Sequence, residues 1–248
     1  MICALMIGRE GSSGFPGKNL HPVLGRPLAA YPLMAAAQAP SVDAIYLSTD
    51  SPRLAELALA HGAEIIDRPA YLCTNEALGE DALHHGHEVI RDQLAARGEE
   101  LEILVLLMAN AATVSTAQIE EAIAVLRARP EVDSAVTVSR YNMWSPLRAR
   151  QVGDDGLLHP FVPFEVFGDP KTLNCDRDSQ GDVLFADMGF SVVRPRCFEN
   201  MDANLLPQKW MGQKIHPIDN WGGLDVDYEW QLPQVEFWLQ AHGIVAAD

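Results

Sequence analysis

The feature that most constrains this chain is a regular alternation of short apolar runs with amphipathic segments. The runs with the composition of buried strands are "ICALMI", "DAIYLSTD", "AEIID", "EILVLLMA" and "DSAVTVS". Segments with the period, caps or terminators of helices lie between most of them. Because parallel strands need crossover connections, this order predicts an α/β fold with a mostly parallel sheet flanked by helices on both faces.

Local signals predict where several helices begin and end. The first helix is predicted over residues 26–39, although it contains two prolines. The second has Ser51 as its N-cap and Gly62 as its terminator. A later helix opens with a capping pattern at Ser115. A last helix is predicted near the C-terminus, after a loop.

The alternation stops between Arg140 and Asp182, where prolines, glycines and aromatic residues are frequent and no helical period is visible. Within this stretch "LRARQV" and "LLHPFV" flank "DDG", a pattern typical of a hairpin. Long excursions from a compact domain usually have a function. Residues 140–182 are therefore predicted to form an inserted β-rich lobe, either a functional lobe or an oligomerisation arm, within one domain over residues 1–248.

Charge and cysteine usage exclude several classes of partner. The 248-residue chain has a net charge of −16, which disfavours nucleic acid and anionic membranes as partners. Its four cysteines are scattered and have no metal-ligand spacing, so they are interpreted as reduced thiols. The apolar runs are too short to span a bilayer. A soluble, cytoplasmic protein is the resulting expectation.

The loop that follows the first apolar run, "GREGSSGFPGKN", matches neither GxGxxG nor the P-loop. Its glycines, Gly11 among them, let backbone N–H groups approach an anion closely, and the hydroxyls of Ser12 and Ser13 add donors. Arg9 and Lys18 would neutralise phosphate charge. The loop is interpreted as a phosphate-binding loop; the alternative is a mobile loop with two solvated cations.

Two groups of residues are candidate metal ligands. Asp225 and Asp227 in "LDVD" are two residues apart, so both carboxylates point the same way on an extended segment and suit Mg²⁺. The alternative is a pair of solvated loop acids or a helix cap. His84, His85 and His87 lack the spacing of a metal-binding pair and are predicted to be solvated or capping residues.

Taken together, "GREGSSGFPGKN", "LSTD", "RPAYL" and "LDVD" occur in the order and spacing of the N-acylneuraminate cytidylyltransferases, which this chain resembles. Its "FPGK" is also similar to the loop of the 3-deoxy-manno-octulosonate cytidylyltransferases. The resemblance implies a Rossmann-like nucleotide-diphosphosugar transferase fold. It also implies Mg²⁺-dependent transfer of CMP from CTP to a sugar acid, release of pyrophosphate, and a homodimer formed through the inserted lobe.

The resemblance also implies roles for individual residues. Residues at nucleotide-contacting positions of the family are Arg9, Lys18, Asn19 and Arg68. Asp225 and Asp227 match its metal-binding acids. Charge on the departing pyrophosphate would be stabilised by Arg9 and Lys18, and Asp227 is one candidate general base, a metal-bound hydroxyl being the other. Arg148 and Arg177 fall near positions where the family holds the carboxylate of the sugar acid.

The chain departs from the family pattern in three places. Ser13 stands where the family has a lysine. The segment "MANAATV" replaces the family's "QPTSPLR", so that Met108 stands in place of a glutamine and Val114 in place of an arginine. "DMGF", which begins at Asp187, replaces "NGA". Two alternatives therefore stay open: CMP transfer to a phosphonate or sugar phosphate, and a non-catalytic nucleotide-binding protein.

Overall fold

The computed structural model of the protein describes residues 1–11, 14–177, 179 and 181–246. Most of its strands belong to one large sheet, and the others form two short antiparallel pairs. In chain order the described strands are β1 (Ile2–Ile7), β2 (Pro22–Val23), β3 (Arg26–Pro27), β4 (Ala44–Thr49), β5 (Glu64–Asp67), β6 (Ile103–Met108), β7 (Ser134–Arg140), β8 (Arg150–Val152), β9 (Leu158–Pro160), β10 (Leu184–Val193) and β11 (Ile215–Asn220).

The helices connect the strands of the large sheet. In chain order the described α-helices are α1 (Ala30–Ala37), α2 (Pro52–Ala60), α3 (Gly79–Ala96), α4 (Thr116–Ala128), α5 (Arg196–Glu199) and α6 (Leu232–Ala241). None of the helices in the described ranges combines the length and the hydropathy that a membrane-spanning segment needs.

The large sheet has the strand order β11-β7-β10-β6-β1-β4-β5. Strand β1 pairs in parallel with β4 on one side and with the central strand β6 on the other, and β4 pairs in parallel with β5. β10 runs antiparallel to β6. The prediction of a mostly parallel sheet is confirmed.

Helices cover both faces of this sheet. The side chains of β1 point alternately to the two faces, and each face has its own hydrophobic core. Ile2, Ala4 and Met6 pack on one face with residues of α1, α2 and α4. Cys3 and Leu5 point to the other face, where α3 and α5 pack. A helix on each face is the reason that β1 is apolar along its whole length.

One buried residue of α3 differs from its prediction. His87 is 3% exposed and packs on the sheet side of the helix, with its ring stacked on that of Phe198. The prediction that His87 is a solvated or capping residue is therefore wrong. The amphipathic period of α3 turns this position inward, and the aromatic ring of Phe198 accepts a flat imidazole.

The helix boundaries show which local signals decide structure. Ser51 accepts a hydrogen bond from the Leu54 backbone N–H, and Ser115 forms a capping box with Gln118, as predicted. The first helix is shorter than predicted and begins at Ala30. Residues 26–27 instead form β3, paired with β2. Pro32 lies in the first turn of α1, where an N–H has no intrahelical acceptor.

The chain divides into two compact units, one formed by residues 1–138 with 186–248 and the other by residues 139–185. In the second unit, β8 and β9 form an antiparallel hairpin, with Arg150 opposite Pro160. Several large apolar side chains of this unit are more than half exposed: Trp144, Val152, Leu158, Phe161 and Val166.

Candidate active site

A cavity of about 520 Å³ is lined by the carboxyl ends of β1 and β6. Ile7 and Met108, the last residues of these two strands, are register partners and both line it. Its position follows from topology: β4 lies on one side of β1 and β6 on the other, so the strand order reverses here. In open α/β sheets such a switch point forms the crevice in which ligands bind.

Most of the predicted site residues meet in this cavity. The predicted nucleotide-binding residues that line it are Arg9, Gly11, Lys18, Asn19 and Arg68. Asp225 and Asp227, the predicted metal ligands, line it as well. Ser12 and Ser13 lie outside the described residues. Residues more than 200 positions apart in the chain thus share one crevice.

The glycine-rich loop forms one wall of the cavity. The side-chain amide of Asn19 donates a hydrogen bond to the carbonyl oxygen of Arg9 (3.2 Å), which ties the two ends of the loop together. At Gly14 a Cβ atom would be 2.7 Å from the carbonyl oxygen of Asp227. The loop backbone therefore approaches the chain around Asp227 more closely than a residue with a side chain would allow.

Two arginines that line the cavity donate to uncharged groups. Arg68 is buried, and its guanidinium donates to the Ser48 hydroxyl (3.2 Å) and carbonyl oxygen (2.6 Å). Burial lowers the pKa of Arg68 from its usual value. Arg9 donates to the carbonyl oxygen of Thr74. Because these acceptors are neutral, both guanidinium charges are available to attract an anion into the cavity.

Lys18 is the third cation of the cavity, and it contacts an acid. Its ammonium lies 2.5 Å from the Asp227 carboxylate. The lysine side chain is 12% exposed, whereas that of Asp227 is 56% exposed. The sequence interpretation assigns these residues to phosphate and to metal, respectively, and the structure pairs them with each other.

Asp225 lies half-buried beside this pair. Burial raises the pKa of the Asp225 carboxyl, and the nearby charge of Asp227 raises it further. The Lys18 charge and a hydrogen bond from the Asn110 amide act in the opposite direction. The two carboxylates therefore repel each other at the same edge of the cavity, and a cation between them would relieve this repulsion.

This donor set fits Mg²⁺. Oxygen ligands are what Mg²⁺ requires, and it commonly takes only one or two carboxylates because water and substrate phosphates complete its shell. The Lys18 ammonium on Asp227 already acts as a cation at this edge. In the part of the chain that the structure describes, no three His, Cys, Asp or Glu side chains converge as a metal cluster.

Sequence reasoning missed Asn110 and Tyr228, which also line the cavity. Asn110 fixes the chain between the two acids: its carbonyl oxygen accepts from the Val226 N–H (2.8 Å) and its side-chain amide donates to the Val226 carbonyl (3.1 Å). A polar residue just after the central apolar strand β6 is a signal that could have identified Asn110.

The segment "MANAATV" has a structural role at two of its positions. Val114 is 5% exposed and packs in the core beneath α4, so it faces no ligand. Thr113 holds Leu224 instead: its hydroxyl accepts from the Leu224 N–H (3.1 Å) and lies 3.4 Å from the Leu224 carbonyl oxygen. Met108 lines the cavity as an apolar side chain.

Arg148 and Arg177, the predicted acceptor-binding residues, belong to the second unit. Arg148 donates to the Cys175 carbonyl oxygen (2.6 Å) and lines a separate cavity of about 350 Å³ within that unit. Arg150 lines the same cavity, and its guanidinium lies 5.3 Å from the centroid of the Phe164 ring. Arg177 is exposed.

Two curated relatives resemble parts of the chain. The N-acylneuraminate cytidylyltransferase of Escherichia coli is 27% identical over 141 residues, which are 57% of this chain and 32% of that protein. The 3-deoxy-manno-octulosonate cytidylyltransferase of Geobacter metallireducens is 25% identical over 186 residues, 74% of this chain and 59% of that protein. The chain thus matches about a third of the first relative and more than half of the second.

The fold is shared with a solved structure. That structure, a CMP:2-keto-3-deoxy-manno-octonic acid synthetase complexed with CTP, superposes with a TM-score of 0.64 at 16% identity and covers 97% of this chain and 99% of its own. The model of a cytidylyltransferase family matches residues 3–148, more than half of the 248-residue chain. The chain therefore belongs to the cytidylyltransferase family.

Proposed function

We propose that this protein transfers CMP from CTP to an acidic sugar of the nonulosonate type, releases pyrophosphate, and uses Mg²⁺. The observation that carries the proposal is the composition of the switch-point cavity. Arg9, Lys18 and Arg68 bring positive charge to it, and Asp225 and Asp227 bring two carboxylates. The positive charges suit a triphosphate, and the two carboxylates suit a divalent cation bound to that triphosphate.

The rest of the lining fits a nucleotide. Apolar side chains at the start of α3 and just before it, including Leu72, Leu78 and Ala82, form a wall suited to a flat base. In this arrangement Gly11 and the adjacent Ser12 and Ser13 bind the phosphates from the loop. Asn19, whose amide ties the two ends of the glycine-rich loop together, orders this loop.

The proposed step is an in-line displacement at phosphorus. A hydroxyl oxygen of the acceptor bonds to the α-phosphorus of CTP, and the bond from that phosphorus to the bridging oxygen breaks, so pyrophosphate leaves with the electron pair. One carboxylate oxygen of the exposed Asp227 takes the hydroxyl proton, and its other oxygen stays available to a cation. Arg9 and Lys18 stabilise the charge that develops on the pyrophosphate. For this, the Lys18 ammonium leaves the Asp227 carboxylate and contacts the pyrophosphate instead.

Asp225 and Asp227 would hold the metal. Mg²⁺, when bound, would polarise the α-phosphate and lower the pKa of the acceptor hydroxyl. The raised pKa of Asp225 and the repulsion from Asp227 support this assignment, since a cation would keep both carboxylates ionised.

We assign acceptor recognition to Arg148 and Arg177, and assembly as a homodimer to the lobe of residues 140–182. The exposed apolar side chains of this lobe, such as Phe161 and Val166, support a contact with a second copy. Two guanidinium groups suit a carboxylate. The names of the two relatives, a neuraminate and an octulosonate cytidylyltransferase, support a sugar acid as the acceptor.

A second candidate keeps the chemistry and changes the acceptor to a phosphonate or a sugar phosphate. The observation that favours it is the burial of Val114 and the apolar character of Met108, because neither side chain provides the polar contact expected at its position. Such an acceptor would need to be recognised by other residues.

Pyrophosphate release tests the proposal. CTP and Mg²⁺ are incubated with a panel of sugar acids, phosphonates and sugar phosphates. Release is expected with a sugar acid, and Asp225→Asn should abolish it. Asp219→Asn removes an equal charge from an exposed position of β11 outside the cavity and should leave release intact. CTP binding without release for any acceptor would instead indicate a non-catalytic nucleotide-binding protein.

A further inference from the structure

We infer that Asp187 is a positioning residue for the metal-binding acids, an inference that rests on the function proposed above. Asp187 lies in β10, is 5% exposed, and does not line the cavity. A buried carboxylate is costly unless hydrogen bonds satisfy it. Its Oδ1 accepts from the Gly189 N–H (3.1 Å), and its Oδ2 accepts from the side-chain amide of Asn220 (3.0 Å).

Asn220 connects this carboxylate to the acid segment, which we define as residues 221–227. It is the last residue of β11 and is itself 5% exposed. Because a carboxylate only accepts, Asp187 requires the NH₂ group of Asn220 to face it. The Asn220 Oδ1 is thereby directed to the Trp221 N–H (2.9 Å) and the Trp238 Nε1 (3.1 Å). The start of the acid segment is thus fixed.

Asp187 also meets the middle of the acid segment. At Gly223 a Cβ atom would lie 2.3 Å from the Oδ2 of Asp187 and 2.5 Å from its Cγ. No residue larger than glycine fits against the carboxylate here without a shift. Gly223 is two residues before Asp225, so this close packing sets the path of the chain as it enters the cavity.

The anchors of the acid segment follow one another along the chain. Asp187 fixes positions 220 and 223, the Thr113 hydroxyl binds Leu224, and Asn110 binds Val226. Asp187 contacts the first half of the acid segment, at Gly223, whereas the glycine-rich loop approaches its end, where Gly14 faces the Asp227 carbonyl oxygen. Loss of Asp187 should therefore weaken metal binding and turnover much more than binding of CTP through Arg9 and Arg68.

Asp187→Asn tests this inference, because an asparagine has one acceptor oxygen where Asp187 uses two. Ser191→Ala is the matched control, since Ser191 is buried in the same strand and contacts Trp210 instead. Mn²⁺ binding in the presence of CTP is measured by electron paramagnetic resonance, together with kcat, the KM for CTP and the melting temperature.

In Asp187→Asn the affinity for Mn²⁺ and kcat should fall about 10- to 100-fold, as for other residues that orient metal ligands, with the KM for CTP changed less than about threefold. Ser191→Ala should bind Mn²⁺ like the wild type. If Asp187→Asn does not fold, Gly223→Ala tests the same contact, because its added Cβ atom would displace the Asp187 carboxylate. The same fall in Mn²⁺ affinity and kcat is expected.

Two outcomes overturn the inference, and they are distinguishable. Mn²⁺ affinity that falls in Asp225→Asn but is unchanged in Asp187→Asn, or in a folded Gly223→Ala, removes the positioning role alone. Mn²⁺ affinity that is unchanged even in Asp225→Asn removes the proposed metal site, and the positioning role with it.

Discussion

We expect one buried histidine to make the stability of this protein fall steeply below neutral pH. His87 is 3% exposed and stacks on Phe198 with 4.7 Å between ring centroids. Neither of its ring nitrogens has a hydrogen-bond partner among the described residues. Burial, reinforced by the positive charge of Arg91, lowers the pKa of His87 from 6.5 to about 4. The folded protein therefore keeps this imidazole neutral.

The direction of the effect follows from proton linkage. The unfolded chain takes up the proton with the ordinary pKa of 6.5, so above that pH both states are neutral and the stability is intact. As the pH falls from 6.5 to about 4, protonation favours the unfolded state. A difference of about 2.5 pKa units corresponds to roughly 3 kcal/mol in total, of which about 2 kcal/mol is lost by about pH 5.

Urea unfolding of the wild type and of His87→Leu at about pH 8 and about pH 5 measures this contribution. Between the two pH values the variant should lose about 2 kcal/mol less of its free energy of unfolding than the wild type. His159→Leu replaces an exposed histidine of the β8–β9 hairpin and should follow the wild type within about 0.5 kcal/mol. An equal loss in wild type and His87→Leu would refute the reasoning.

Three further predictions concern the candidate site. Val114→Arg should lower the free energy of unfolding by about 3–5 kcal/mol, measured by urea, and should not improve acceptor binding, because the charge would be buried; a stable variant with tighter acceptor binding would contradict this. Gly8→Ala brings a Cβ atom within 2.7 Å of the Ala109 Cβ and should cost about 1–3 kcal/mol of stability, with weaker CTP binding by calorimetry; wild-type values for both would be the contrary result. Lys18→Met frees Asp227, so Mn²⁺ binding without nucleotide should strengthen while CTP binding weakens. If Mn²⁺ binding weakened instead, Lys18 would not compete for the acids.

Much of the fold could be predicted from the sequence, because its signals are local. The caps at Ser51 and Ser115 depend on residues within about one helical turn of each other. Strand β1 is visible as a continuous apolar run along the chain. The family motifs identified Arg9 and Asp225 as candidate site residues. Both residues line one cavity, and both follow strands of the same sheet. The start of α1 was misplaced because pairing of β2 with β3 overrides helix propensity there.

Only the tertiary structure decided which residues hold the site in place. Thr113 and Leu224 are 111 positions apart, and their hydrogen bond exists because the acid segment, after it leaves the edge strand β11, reaches the loop that follows β6. The same packing buries Asp187 against Gly223 and pairs Lys18 with Asp227. The sequence indicates none of these pairings, because burial and partner choice depend on distant elements that no local pattern encodes. The sequence by itself determined the elements and the candidate charges, and tertiary packing determined their partners.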